Sequence, residues 1–167
     1  MEKKLFLILH NIRSAYNVGA IFRTADGAGV SKIFLTGYSH APSTEENQDL
    51  KSKADKMIEK TALGGEKSVP WEKCEDIFQL SEKLKKENCA VVALETTPDA
   101  IELGKFEPNS SVALILGNEV DGISAEILEK CDLAVAIPMR GVKGSLNVSI
   151  AAGVAAYQIM DKIIKEI

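Results

Sequence analysis

"VALILGNEVDGISAEILEKCDLAVAI", Val112 to Ile137, carries two apolar runs joined by a turn and a short helical pattern. Neither "VALIL" (Val112–Leu116) nor "LAVAI" (Leu133–Ile137) alternates polar with apolar residues. A strand with one wet face alternates, whereas a strand covered on both faces reads as a continuous apolar run. The intervening "SAEILEKC" (Ser124–Cys131) reads as a helix opening on a serine able to cap it. Buried strand, helix, buried strand is the unit of a parallel sheet.

The same runs recur outward from this stretch. "LFLIL" (Leu5–Leu9), "KIFLT" (Lys32–Thr36) and "AVVAL" (Ala90–Leu94) supply three more buried strands. Val18, Ile21, Phe22 and Ala25 repeat at helical spacing, with Asn17 as a candidate cap and Gly27 and Gly29 as the stop. Ile77, Leu80 and Leu84, ending in the basic "KLKK", mark another helix. The expectation is an α/β domain, a mainly parallel sheet with helices on both faces. Ser39 to Lys56 is polar and poorly periodic, so it reads as a mobile excursion holding a short helix. The 167 residues suit one domain, with no repeat and no linker to divide it.

The last helix is expected from about Leu146 to Ile164. Val148, Ile150, Ala151, Ala152, Val154, Ala155, Ala156, Ile159 and Met160 leave it almost no polar face. A helix apolar all round must be covered all round. The chain's own sheet could do this, but in so small a domain a second subunit is the natural cover.

Composition narrows the function. With 46% hydrophobic and 26% charged residues the chain is an ordinary globule. A net charge of -4 argues against a surface coated in positive charge, though not against a local basic patch. Three scattered cysteines without CxxC, and only two histidines, argue against a zinc site. The odd cysteine count and the short apolar run near the start, too brief for a signal peptide, point to a reducing cytoplasm. Asn147, Ser149 and Gln158 interrupt the carboxyl-terminal apolar stretch, so no membrane span is expected.

Three polar constellations stand out. "NIRSAYNVGAIFRTADGAG" (Asn11–Gly29) follows a strand and enters a helix, placing Asn11, Arg13 and Asn17 near the edge where α/β folds bind ligands. Asn17 alone would be a cap and Arg23 alone a surface ion pair. "LILGNEVDGIS" (Leu114–Ser124) ends a buried strand in Gly117, Asn118 and Glu119; glycine lets a ligand approach the backbone. Alone, it is turn chemistry around Asp121-Gly122. "IPMRGVKGSLNVSIAAGVAAY" (Ile137–Tyr157) sets a cationic loop and Ser145 and Asn147 ahead of the last helix, whose N–H groups favour anionic or polar atoms. Neither GxGxxG nor GxxxxGK[ST] is present. The chain's three arginines, Arg13, Arg23 and Arg140, all fall within these segments. Forked guanidinium groups suit phosphate and nucleic acid.

These segments, in this order, resemble the three motifs of the SpoU (TrmH-like) branch of the SPOUT RNA methyltransferases, and "KTALGG" with "VPWE" also resembles that family. The resemblance covers essentially the whole chain without departure at the motif positions. It implies transfer of a methyl group from S-adenosylmethionine to a ribose 2′-hydroxyl of tRNA or rRNA, a carboxyl-terminal trefoil knot, and a homodimer with composite sites. General topology rules alone argue against a knot. By motif, Arg23, Asn17, Glu119, Ser145 and Asn147 match catalytic positions. Leu116, Gly117, Ile137, Met139, Ser145 and Leu146 match or adjoin cofactor-binding positions. Arg13, Arg23, Arg140 and Lys143 would face RNA; Lys143 alone is equally a solvated loop charge.

The resemblance implies no metal, because a methyl sulfonium is already electrophilic. Alignment and proton removal remain for the protein. Arg23 could take the proton, which is costly for a guanidinium, or stay cationic and stabilise the developing alkoxide. An inactive RNA- or cofactor-binding relative would keep the fold and lose these residues. The lack of an added domain favours a compact tRNA stem-loop over an rRNA assembly intermediate.

Overall fold

A computed structural model describes residues 2–165. One sheet of seven strands runs through it in the order β3-β2-β1-β6-β4-β7-β5. The strands are β1 (Leu5–His10), β2 (Lys32–Thr36), β3 (Trp71–Lys73), β4 (Cys89–Leu94), β5 (Ile101–Glu102), β6 (Ser111–Leu116) and β7 (Leu133–Ala136). Every pairing is parallel. The helices are α1 (Ala15–Ala28), α2 (Lys53–Ala62), α3 (Gly65–Ser68), α4 (Ile77–Lys86), α5 (Ala125–Lys130) and α6 (Val148–Lys165). No helix among the described residues is long and apolar enough to cross a membrane.

The continuous apolar runs form strands buried on both faces. Leu5, Leu7 and Leu9 of β1 and Val112, Leu114 and Leu116 of β6 join one core with Val18, Ile21, Phe22 and Ala25 of α1 and Ala152, Ala155 and Ile159 of α6. Ile8, Val91, Ala93, Ala113 and Ile115 turn the other way, against Ile77, Leu80 and Leu84 of α4 and Ile127 of α5. Register places Leu7 opposite Leu114 and Ile8 opposite Ile115, so neighbouring strands present matching layers. The two-sided core expected from the sequence is what the structure has.

Local signals were read less exactly. Ser14, not Asn17, caps α1: its hydroxyl accepts from the Asn17 N–H at 3.3 Å, freeing the Asn17 side chain. Gly29 alone ends the helix, in the left-handed conformation at φ 76°, while Gly27 lies inside it under the Tyr157 hydroxyl. The helix of the polar excursion begins only at Lys53, behind a capping box in which Ser52 and Asp55 each bond the other's backbone N–H. Its inner edge is tight. A Cβ on Gly19 would overlap the Ile58 carbonyl and the Thr61 hydroxyl, so α1 and α2 touch backbone to backbone.

The inner face of α6 is buried through Ala152, Ala155, Ala156, Ile159 and Ile163. Its outer face is not covered by this chain: Ile150 is 57% exposed, Tyr157 53% and Ile164 57%. The sequence called for cover all round, and this chain leaves the outer face open.

Replacing Gly19 by Ala is expected to destabilise the protein by about 1–3 kcal/mol, because neither a helix carbonyl nor the backbone beneath it can move aside. Gly104→Ala, with open space where its Cβ would stand, should change stability by less than about 0.5 kcal/mol. Urea unfolding of both variants checks the pair.

Candidate active site

The carboxyl ends of β4, β6 and β7 open into a cleft of about 210 Å³. Leu116, Gly117, Ile137, Met139, Ser145 and Leu146 all line it. Residues from two distant segments therefore share one wall.

Glu119 joins that wall to α1. Its carboxylate accepts from the Arg13 N–H at 2.9 Å, the Ser14 N–H at 3.0 Å and the Asn17 amide nitrogen at 3.0 Å. Burial alone would raise this carboxyl. The hydrogen bonds from Arg13, Asn17 and Ser14 outweigh burial and hold it below the ordinary glutamate range. Asn17 then accepts from the Asn147 amide at 3.2 Å. Asn147 is the first residue before α6: its side-chain oxygen takes the Ser149 N–H at 2.9 Å and its carbonyl takes the Ala151 N–H at 2.9 Å. Asn147 thus caps α6 while reaching across to α1. Glu119, Asn17 and Asn147 form one hydrogen-bonded chain along the cleft rim.

Asn118 shapes the turn. Its side-chain oxygen accepts from the Val120 and Asp121 N–H groups, both at 2.8 Å. The turn needs glycine at 117, since a Cβ there would meet the Gly122 backbone at 2.7 Å and Ile123 at 2.6 Å.

The cations stand apart. Arg23 is exposed and does not line the cleft. From Asn17 it lies about 9 Å along α1 and about 120° around it. Arg13 lends its backbone to Glu119, while its side chain is exposed, as are Arg140 and Lys143 in the loop before α6. Among the described residues none of the arginines enters an ion pair, whereas Lys32, Lys51, Lys85, Lys105, Lys162 and Lys165 all do.

Leu94, Glu95 and Thr96 at the end of β4 also line the cleft. Glu95 accepts from the Ile123 N–H at 3.1 Å and the Thr96 N–H at 2.9 Å, tying β4 to the turn after β6. The only signal for it was a carboxylate directly after an apolar run. Two carboxylates and no cationic side chain line the cleft. With Leu116, Ile137, Met139 and Leu146, this lining suits an adenosyl group carrying positive charge and opposes a pyrophosphate.

Because Glu119's folded pKa is depressed, its contribution to stability is present above the unfolded value near about 4.3 and is lost as pH falls through the folded value. The gap in stability between the protein and Glu119→Gln should therefore be widest at neutral pH and close in acid. Urea midpoints across that range measure it. A gap independent of pH would mean the carboxylate's charge is not what holds α1.

The model of the SpoU rRNA Methylase family matches residues 4–157. The tRNA (guanosine(18)-2′-O)-methyltransferase of Aquifex aeolicus is 31% identical over 157 residues, 94% of this chain and 69% of that protein. The 23S rRNA (guanosine-2′-O-)-methyltransferase RlmB of Vibrio vulnificus is 30% identical over 156 residues, 92% of this chain but only 58% of its own length. The crystal structure of the A. aeolicus TrmH/SpoU tRNA modifying enzyme matches with a TM-score of 0.81 at 27% identity, covering 98% of this chain and 77% of that one. With the family match running from the first strand into the last helix, the chain belongs to the SpoU rRNA methylase family.

Proposed function

We propose that this protein transfers a methyl group from S-adenosylmethionine to a ribose 2′-hydroxyl of RNA, as a cytoplasmic homodimer whose substrate is tRNA rather than rRNA. The observation that carries the reading is the hydrogen-bonded chain Glu119–Asn17–Asn147 on the rim of a cleft lined by Gly117, Ile137 and Leu146. The tRNA preference draws on the A. aeolicus relative's named substrate. The free thiols suit a reducing compartment, and burial pushes Cys89 up to about 12 and Cys131 up to about 11, leaving them inert.

Leu116, Gly117, Ile137, Met139, Ser145 and Leu146 would hold the donor. When bound, it supplies a methyl group on a sulfonium. Asn17 and Asn147 fix each other and orient the ribose; Glu119 keeps Asn17 in place. Arg13, Arg140 and Lys143 face the RNA backbone with exposed side chains. Arg23 remains cationic, as guanidinium groups do in proteins, and stabilises negative charge developing on the hydroxyl oxygen, whose proton goes to water.

Arg23 is exposed on α1, about 120° around the helix from Asn17. α1 packs along α6, with Tyr157 over Gly27. Tyr16, Arg23 and Gly27 on α1 and Ile150 and Tyr157 on α6 are all exposed. A second copy covering this face would bury the apolar residues and carry Arg23 to the partner's rim. Strand order supports the knot implied by the family: β7 sits between β4 and β5, and α6 returns to pack on α1 and β1.

Tritiated methyl transfer to total tRNA and rRNA from cells lacking this protein tests the activity, with alkali resistance reporting ribose methylation. Label confined to bases, or none, would overturn the reading; RNA binding without transfer would indicate an inactive relative. Arg23→Ala should abolish transfer and leave donor binding within about twofold. Arg23→Ala and Asn147→Ala chains, each inactive, should recover about a quarter of normal activity when co-expressed, because half of randomly mixed dimers contain one intact composite site. No recovery in purified mixed dimers would place Arg23 in its own protomer's site.

A further inference from the structure

Tyr38 is 59% exposed, yet the backbone and the hydroxyl on either side of its ring are fixed. It follows β2 in a loop that the structure over-determines. Gly37 adopts φ 60°, with Asn11 filling the space a side chain would need. The Tyr38 N–H donates to the Asn11 side-chain oxygen at 3.1 Å. Lys73 donates to the Gly37 carbonyl at 2.6 Å and the Ser39 carbonyl at 2.7 Å. Ser39 is 1% exposed, donating to the Leu9 carbonyl at 2.7 Å and accepting from the Ile12 N–H at 2.8 Å. At the far end of the ring, the Tyr38 hydroxyl accepts from the Asn118 amide at 2.8 Å.

The position matters as much as the rigidity. The same Asn118 amide donates to the Asn11 carbonyl at 3.0 Å, and the next residue is Glu119. Tyr38 therefore continues the rim that holds Glu119, Asn17 and Asn147. Arg13, two residues beyond Asn11, stands exposed on the same connection.

An aromatic ring left in water gains nothing from folding at that spot. Held immobile, it can bind a flat partner without a further ordering cost. Nucleobases of unpaired RNA are such partners, and stacking on aromatic side chains is how they are commonly gripped. A base inside a duplex keeps its own stacking neighbours and is not available.

We propose that Tyr38 is a stacking platform for an unpaired nucleobase beside the methylated nucleotide, so that the substrate is a loop or single-stranded segment. This rests on the RNA-methylating reading above. Arg13 is placed to meet the phosphate that joins the stacked nucleotide to its neighbour.

The test uses the full chain with a single-stranded RNA of about twelve nucleotides carrying 2-aminopurine, and the same strand in a duplex. Anisotropy gives RNA affinity, 2-aminopurine fluorescence reports stacking, and calorimetry gives S-adenosylmethionine affinity. Tyr38→Ala should weaken single-strand binding on the order of tenfold and remove the fluorescence quenching, with donor affinity within about twofold. Tyr38→Phe, which keeps the ring and loses only the Asn118 bond, should bind and quench nearly as the wild type does. The idea fails if Tyr38→Ala binds RNA normally, if Tyr38→Phe fails as badly as Tyr38→Ala, or if the wild type prefers the duplex. Quenched single-strand binding by a wild type that takes up no donor would uphold the platform and count against methyl transfer.

Discussion

The site depends on how one carboxylate is satisfied. Glu119 sits in the turn after the central strand β6 and takes three hydrogen bonds from the segment that starts α1. A carboxylate gathered in this way loses water, and only several donors at once make that tolerable. The amino end of α1 supplies them, where exposed N–H groups already favour negative charge. Through Asn17 the same anchor reaches Asn147, the cap of α6. One charged group thereby sets the relative positions of β6, α1 and α6, and the cleft lies between the elements it fixes. Neutral substitutes of similar shape would leave N–H groups bonded more weakly and the rim less defined.

How far the sequence revealed this follows from what each part requires. Strands β1, β2, β4, β6 and β7 were legible within a residue because double-sided burial demands unbroken apolar runs. β3 and β5 were not. They are Trp71–Lys73 and Ile101–Glu102, edge pieces too short and too polar to leave a pattern. α2 was only partly legible, because the polar excursion holds just its first turn and the helix buries only Ile58 and Ala62; its clearest signature, the Ser52–Asp55 box, is a spacing rather than a composition. For the site, residue chemistry pointed to Asn17, Glu119 and Asn147 only as turn and cap residues, each with a commonplace role. Family resemblance joined them, and the hydrogen bonds show that they are one chain. Asn147 has both roles, cap and rim. Glu95 and Tyr38 went unread because nothing local separates a carboxylate or tyrosine after a strand from ordinary surface.

The cations are used unevenly. The chain is net negative, and among the described residues six of its lysines pair with its own carboxylates. Such exposed pairs add little to stability, but they remove positive charge from the general surface. The arginines are handled the other way. Arg13 and Arg140 flank the cleft rim in sequence and Arg23 is exposed on α1, and among the described residues none is neutralised by a carboxylate. A negative body with a few unpaired guanidinium groups near one rim repels polyanions broadly and admits them at one place. Arg23 and Asn17 stand on different sides of α1, and Ile150 and Tyr157 of α6 lie open. In the proposed homodimer, covering Ile150 and Tyr157 with a second copy would also deliver Arg23 to a rim, so the site's charge would be complete only when its hydrophobic surface is buried. In this arrangement an isolated chain could hold a donor, but it would lack the cation that makes the ribose oxygen reactive, which ties the chemistry to assembly without a separate switch.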